Sequence, residues 1–170
     1  MTKNNILKDI KFTDPQLQKF FDALGEDSNK KIQLFYYFAL TTGLRVNEIL
    51  NLSYGNIEDK SSLLSLKPSK KDEVELILSD QLLEVIKNEH KENPSDLYIF
   101  QSKKSNNVLN QPPKPISRQS VNYAFKKAND DTGIPITPNK LRQMYATEFF
   151  KKISMQGSHV LNEKTLKKFR

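Results

Sequence analysis

The chain has 170 residues, 36% apolar and 28% charged, enough for one domain with a core of its own. Lys and Arg number 27 against 20 Asp and Glu, a net charge of +7 that suits a polyanionic partner, although a lysine-rich solvated surface gives the same balance. The absence of cysteine excludes disulfides and thiolate metal sites, two histidines (His90 and His159) are too few for a histidine metal site, and no apolar run approaches the roughly eighteen residues of a membrane span. These features predict a cytoplasmic protein without metal or cofactor.

In chain order, residues 1–13 read as a flexible lead-in, since the N-terminus has lysines but no apolar signal core. Asp14-Pro15 starts a helix, with proline at its first position. Leu17, Phe20, Phe21 and Leu24 share one face, and Gly25 is the expected stop. Residues 29–42 form a second helix whose run IQLFYYFALTT is apolar almost all round and therefore buried. A third spans 45–52.

The period then changes. LLSLKPSKKDEVELIL, residues 63–78, predicts a β-hairpin turning at Pro68-Ser69-Lys70-Lys71-Asp72. Ser79 caps a helix over 80–91, a short strand is expected over 96–100, and residues 101–115 form a loop by composition. Ser117 opens a helix with Val121, Phe125 and Ala128 inward, and Gly133 ends it. Another helix runs from Pro138 to Lys152, and a weak one from Asn162 to Phe169. The predicted class is mainly α with a small antiparallel β-sheet, arranged as a flexible segment over 1–11 and one domain over 12–170.

Two stretches carry chemistry. TTGLRVNEILNL, residues 41–52, sets Arg45 just past a glycine turn, with Glu48 three residues on along the same helix face. TPNKLRQMYAT, residues 137–147, sets Arg142 among Leu141, Met144 and Ala146, surroundings that half-bury and orient it. A guanidinium is a planar fork that holds two oxygens of one anion, which lysine cannot match. Two of them suit phosphate chemistry whose transition state carries more negative charge than its ground state.

These two boxes, in this order with a lysine hairpin between them, resemble the catalytic domain of tyrosine recombinases, the group of phage integrases and Xer-type recombinases. The resemblance covers roughly residues 12–170. It implies site-specific strand exchange on double-stranded DNA by metal-free, cofactor-free transesterification through a phosphotyrosyl intermediate, in a tetrameric synapse. Arg45 and Arg142 would clamp the scissile phosphate and Glu48 would orient the Arg45 guanidinium. A hairpin lysine would protonate the leaving 5′-oxygen, because an alkoxide leaves poorly. The family's SKTG-type turn puts Lys70 first, with Lys67 and Lys71 as alternatives that also reach DNA. Arg118, Gln119 and Asn122, at the start of their helix, and Lys140 would contact DNA, with Lys103 and Lys104 adding phosphate attraction.

Two departures stand out. Asn139 occupies the family's usual histidine position; it can hydrogen-bond a phosphate oxygen but cannot exchange a proton. Gln143 replaces a second histidine. The family's nucleophilic tyrosine lies about thirty residues past the second arginine, whereas Tyr145 is the last tyrosine here. KTLKKFR resembles the helix that leads into the missing segment, so the chain reads as a catalytic domain trimmed before its nucleophile; His159 reads as a surface residue. The alternative is a noncatalytic, recombinase-like DNA-binding or regulatory module.

Overall fold

The computed structural model describes residues 11–26, 30–58, 63–69, 72–103 and 112–155. Six helices and a three-stranded sheet appear there: α1 (Pro15–Glu26), α2 (Lys30–Thr42), α3 (Val46–Leu50), β1 (Ile57–Glu58), β2 (Leu63–Ser69), β3 (Asp72–Ile77), α4 (Asp80–Glu92), α5 (Arg118–Thr132) and α6 (Pro138–Met155). A 3-10 turn, Tyr54–Asn56, precedes β1. The mainly α class with a small antiparallel sheet is borne out. Among the described residues no helix is long and apolar enough to cross a membrane.

The second helix is central because its sequence leaves it no polar face. Ile32 through Ala39 are all buried, and so is Thr42. Its aromatic side chains meet those of α1 and α5. Phe35 and Phe125 lie edge to face with centroids 6.0 Å apart, and Phe20 stacks on Tyr36 at 5.9 Å. Each such ring contributes about 1.5–3 kcal/mol through burial. The Tyr36 hydroxyl donates to the Leu17 carbonyl at 3.1 Å, so burying it leaves no orphan.

Local signals set the boundaries. The Ser79 hydroxyl accepts the Leu82 amide at 3.2 Å and the Ser117 hydroxyl accepts the Ser120 amide at 3.1 Å, capping α4 and α5. Gly133, with φ of 71°, supplies the left-handed residue that ends α5. Thr137 accepts the Lys140 amide at 3.1 Å and Pro138 opens α6. Asn129 reaches forward to accept the Ile136 amide at 2.9 Å, which ties the segment between α5 and α6 back onto α5.

Four expectations change. Residues 11–13 are not a loose lead-in: Phe12 packs against Phe21 at 5.1 Å, Tyr36 and Tyr37, and its amide donates to Gln18. Gly25 lies inside α1 rather than ending it. It is glycine because the buried Gln33 side chain, bonded to the Phe21 carbonyl, occupies the space a Cβ would need. No strand forms over 96–100; a single bridge joins Tyr98 to Ser53, because the 3-10 turn and the turns after α4 leave too little extended chain to pair. The hairpin strands extend further than predicted, with Ser69 opposite Asp72. Lys67 and Pro68 together oppose Glu73 between the Leu66–Val74 and Ser69–Asp72 pairs. That extra residue is where proline, lacking an N–H, breaks the ladder. The expected helix over 162–169 lies outside the described residues.

Candidate phosphate-binding site

The glycine turn between α2 and α3 does two jobs. With φ of 65°, Gly43 turns the chain sharply enough to bring Arg45 to the mouth of a cleft at the start of α3. Its carbonyl then accepts a hydrogen bond from Arg142 Nε at 3.0 Å, across a separation of 99 residues. The half-buried Arg142 is thus held at Nε, and Leu141 beside it is fully buried in the core, which anchors that turn of α6.

The cleft has a volume of about 520 Å³ and lies between α3, α5 and α6. Arg45, Arg118, Asn122, Asn139 and Arg142 line it together with Asn47, Thr137 and the apolar Leu44, Val46 and Pro138. Three of the lining residues are arginines and none is acidic. The first turn of α6 contributes Pro138 and Asn139, so the positive end of an 18-residue helix faces the same space.

Partial burial lowers the pKa of Arg142, and the nearby Arg45 lowers it further, while the Glu48 carboxylate raises it. An arginine stays protonated at neutral pH regardless. Arg142 thus sits partly out of water and close to the like charge of the exposed Arg45, a cost that a bound anion relieves. Glu48 also accepts the Arg45 backbone amide at 2.7 Å, which caps α3.

The remaining candidates separate. Gln119 lines a different cleft, with Tyr123 and Lys127, because one residue along a helix is a turn of about 100° away from Arg118. Lys140 is exposed and is not among the cleft's lining residues. Lys67 belongs to β2, and Lys70, Lys71, Lys104 and His159 lie outside the described residues. Lys103 is paired with the buried Asp96, so its charge is matched within the fold. The Tyr145 hydroxyl is pushed up in pKa by burial, the opposite of an activated nucleophile. Gly43 was missed as a site residue. Its role depends on a contact 99 residues away, and only its place just before the arginine hinted at it.

A sequence model of the phage integrase family matches residues 11–155. The chain belongs to the phage integrase family. Among curated relatives, this phage integrase domain is 30% identical over 124 residues to the tyrosine recombinase XerA of Thermococcus onnurineus, a match covering 71% of this chain and 42% of that protein. It is 27% identical over 142 residues to XerA of Pyrococcus furiosus, covering 82% and 48%. The chain thus spans about half the length of the curated relatives it matches. Its fold is similar to the lambda integrase catalytic core, with a TM-score of 0.64, 23% identity and 86% of each chain covered. It is also similar to the crystal structure of XerA recombinase, with a TM-score of 0.63, 15% identity, and 95% and 60% of the two chains covered.

Proposed function

We propose that the cleft between α3, α5 and α6 holds a phosphate of double-stranded DNA, and that the chain is the catalytic-domain portion of a site-specific recombinase. The observation that carries this reading is the convergence of Arg45 and Arg142, one from each sequence box, in a cleft without an acidic lining residue.

In the proposed reaction a tyrosine of the intact recombinase attacks the phosphorus. The phosphotyrosyl bond forms as the bond to the 5′-oxygen breaks. Arg45 and Arg142 hold the nonbridging oxygens, where negative charge grows. Asn139 hydrogen-bonds a phosphate oxygen, and the start of α6 adds a favourable field. A hairpin lysine, Lys70 before Lys67 or Lys71, protonates the departing 5′-oxygen. None of the six tyrosines of this sequence takes the nucleophile's part in this scheme. Arg118 and Asn122 contact the DNA beside the clamp, while Lys140 and the hairpin lysines add phosphate attraction. The setting is cytoplasmic, the chemistry needs no metal or cofactor, and the working assembly is a tetramer. A lambda integrase tetramer bound to a Holliday junction has the same fold, with a TM-score of 0.62 and 23% identity.

A second reading has one observation in its favour: Asn139 stands where an acid–base histidine is usual. It makes the protein a noncatalytic module that occupies a DNA site. A suicide-substrate assay separates the two. The present chain should form no covalent DNA adduct, and the longest product of its gene should form one that disappears in Arg142→Ala. Absence of an adduct with that product would leave the noncatalytic reading standing.

A further inference from the structure

Gly43 meets α6 in two ways. Its carbonyl oxygen accepts the Arg142 Nε hydrogen bond at 3.0 Å. Its Cα faces the ring of Tyr145, three residues further along α6: a Cβ at position 43 would lie 2.8 Å from Cε1 of that ring and closer still to Cδ1. The positive φ of 65° disfavours any side chain there as well. Arg142 and Tyr145 lie at i and i+3, so they share one face of α6, and both touch the same residue. Tyr145 is half-buried and the neighbouring Leu141 is fully buried, so the ring contact belongs to the packed junction of α2 and α6.

We infer that Gly43 and Tyr145 form a spacer that sets the rotation of Arg142, making both of them positioning residues for the phosphate clamp. The Tyr145 ring fills the volume left by the missing Cβ and fixes how closely α6 approaches the turn after α2. That approach brings the Gly43 carbonyl within reach of Nε. With Nε engaged by the Gly43 carbonyl, the plane of the Arg142 guanidinium is fixed relative to the cleft that it lines. Arg45 follows Gly43 by two residues, so the same turn places both arginines. Arg45 and Arg142 then act as a rigid pair, and less conformational entropy is lost when a phosphate arrives. This inference rests on the proposed phosphate-clamp reading.

Two measurements test it. In the DNA-free chain, the Arg142 Nε–H should give a separate nuclear magnetic resonance signal with slowed hydrogen exchange. Tyr145→Ala and Gly43→Ala should lose that protection, whereas Tyr145→Phe, which retains the ring, should keep it. The second is the salt dependence of binding to a labelled mixed-sequence DNA duplex. Arg142→Ala should flatten the slope of log K against log salt by about one. Tyr145→Ala should flatten it nearly as much, and Tyr145→Phe should restore it. If Gly43→Ala does not fold, Tyr145→Ala carries the test alone. Retained Nε–H protection in folded Tyr145→Ala would overturn the spacer. So would a wild-type slope in Tyr145→Ala alongside a flattened one in Arg142→Ala. A slope unchanged by Arg142→Ala itself would sink the clamp reading and this inference with it, while Nε–H protection would still report on the packing.

Discussion

Two regions of this molecule gather charge, and they handle it differently. Near the C-terminal end of α4, cations and carboxylates come in matched pairs. Lys31 lies 3.2 Å from Glu89, with only 16% and 11% of the two side chains exposed, and its amine also donates to the Ile99 carbonyl at 2.6 Å. Lys103 meets Asp96, which is almost fully buried and also accepts from Gln101 at 3.2 Å. In the α3–α5–α6 cleft, Arg45, Arg118 and Arg142 line one space together. Charge matched within the fold builds scaffold. Positive charge concentrated on one concave surface draws an anion from outside.

Substitutions should separate the two regions. Glu89→Ala removes the carboxylate partner of a largely buried lysine and should cost about 3 kcal/mol of stability, read by urea unfolding. Its DNA binding, measured under conditions where it is folded, should be unchanged. Arg142→Ala should do the reverse. It should lower DNA affinity by about 2 kcal/mol, the scale of a charge-assisted hydrogen bond. Its unfolding midpoint should stay near wild type, because the lost bond to Gly43 is offset by relief of repulsion with Arg45. An Arg142→Ala protein that unfolds easily but binds DNA normally would erase the distinction between site and scaffold.

Smaller effects refine it. Ser79→Ala removes the cap of α4 and should cost about 1 kcal/mol of stability without altering DNA binding. Glu48→Gln keeps an acceptor for the Arg45 amide but removes a carboxylate whose charge favours protonated Arg142. Fold stability should change by less than about 1 kcal/mol, the scale of an exposed charge interaction. Phosphate affinity should stay level or rise slightly, because the cleft becomes more positive.

Much of this was legible in the sequence wherever the signal was local. Ser79, Ser117, Thr137-Pro138 and Gly133 carry their boundaries in their own chemistry, and the all-round apolar run of α2 announces a central helix. Arg45 and Arg142 were legible as a pair because each sits in a patterned box. The errors came where distant contacts decide. Phe12 has no periodic neighbours, so its seat among Phe21, Tyr36 and Tyr37 is invisible until α1 and α2 pack. Gly25 looked like a stop, yet it is there to admit the Gln33 side chain. Gln119 was grouped with Arg118 and Asn122 by adjacency, but helical geometry puts residues four apart on one face and their neighbour on another. Gly43 looked like a turn residue and no more, because its partners Arg142 and Tyr145 lie about a hundred residues further along the chain, as the 99-residue span of its bond to Arg142 shows.

The central claim is that Arg45 and Arg142 together hold one phosphate of duplex DNA. The most direct test is the salt dependence of duplex binding by the wild-type chain and by the Arg45→Ala/Arg142→Ala double variant, with folding checked by circular dichroism. The account predicts a log–log slope flatter by about 0.9 in the double variant, the counterion release of the one phosphate that the pair neutralises. A folded double variant with the wild-type slope and affinity would contradict it.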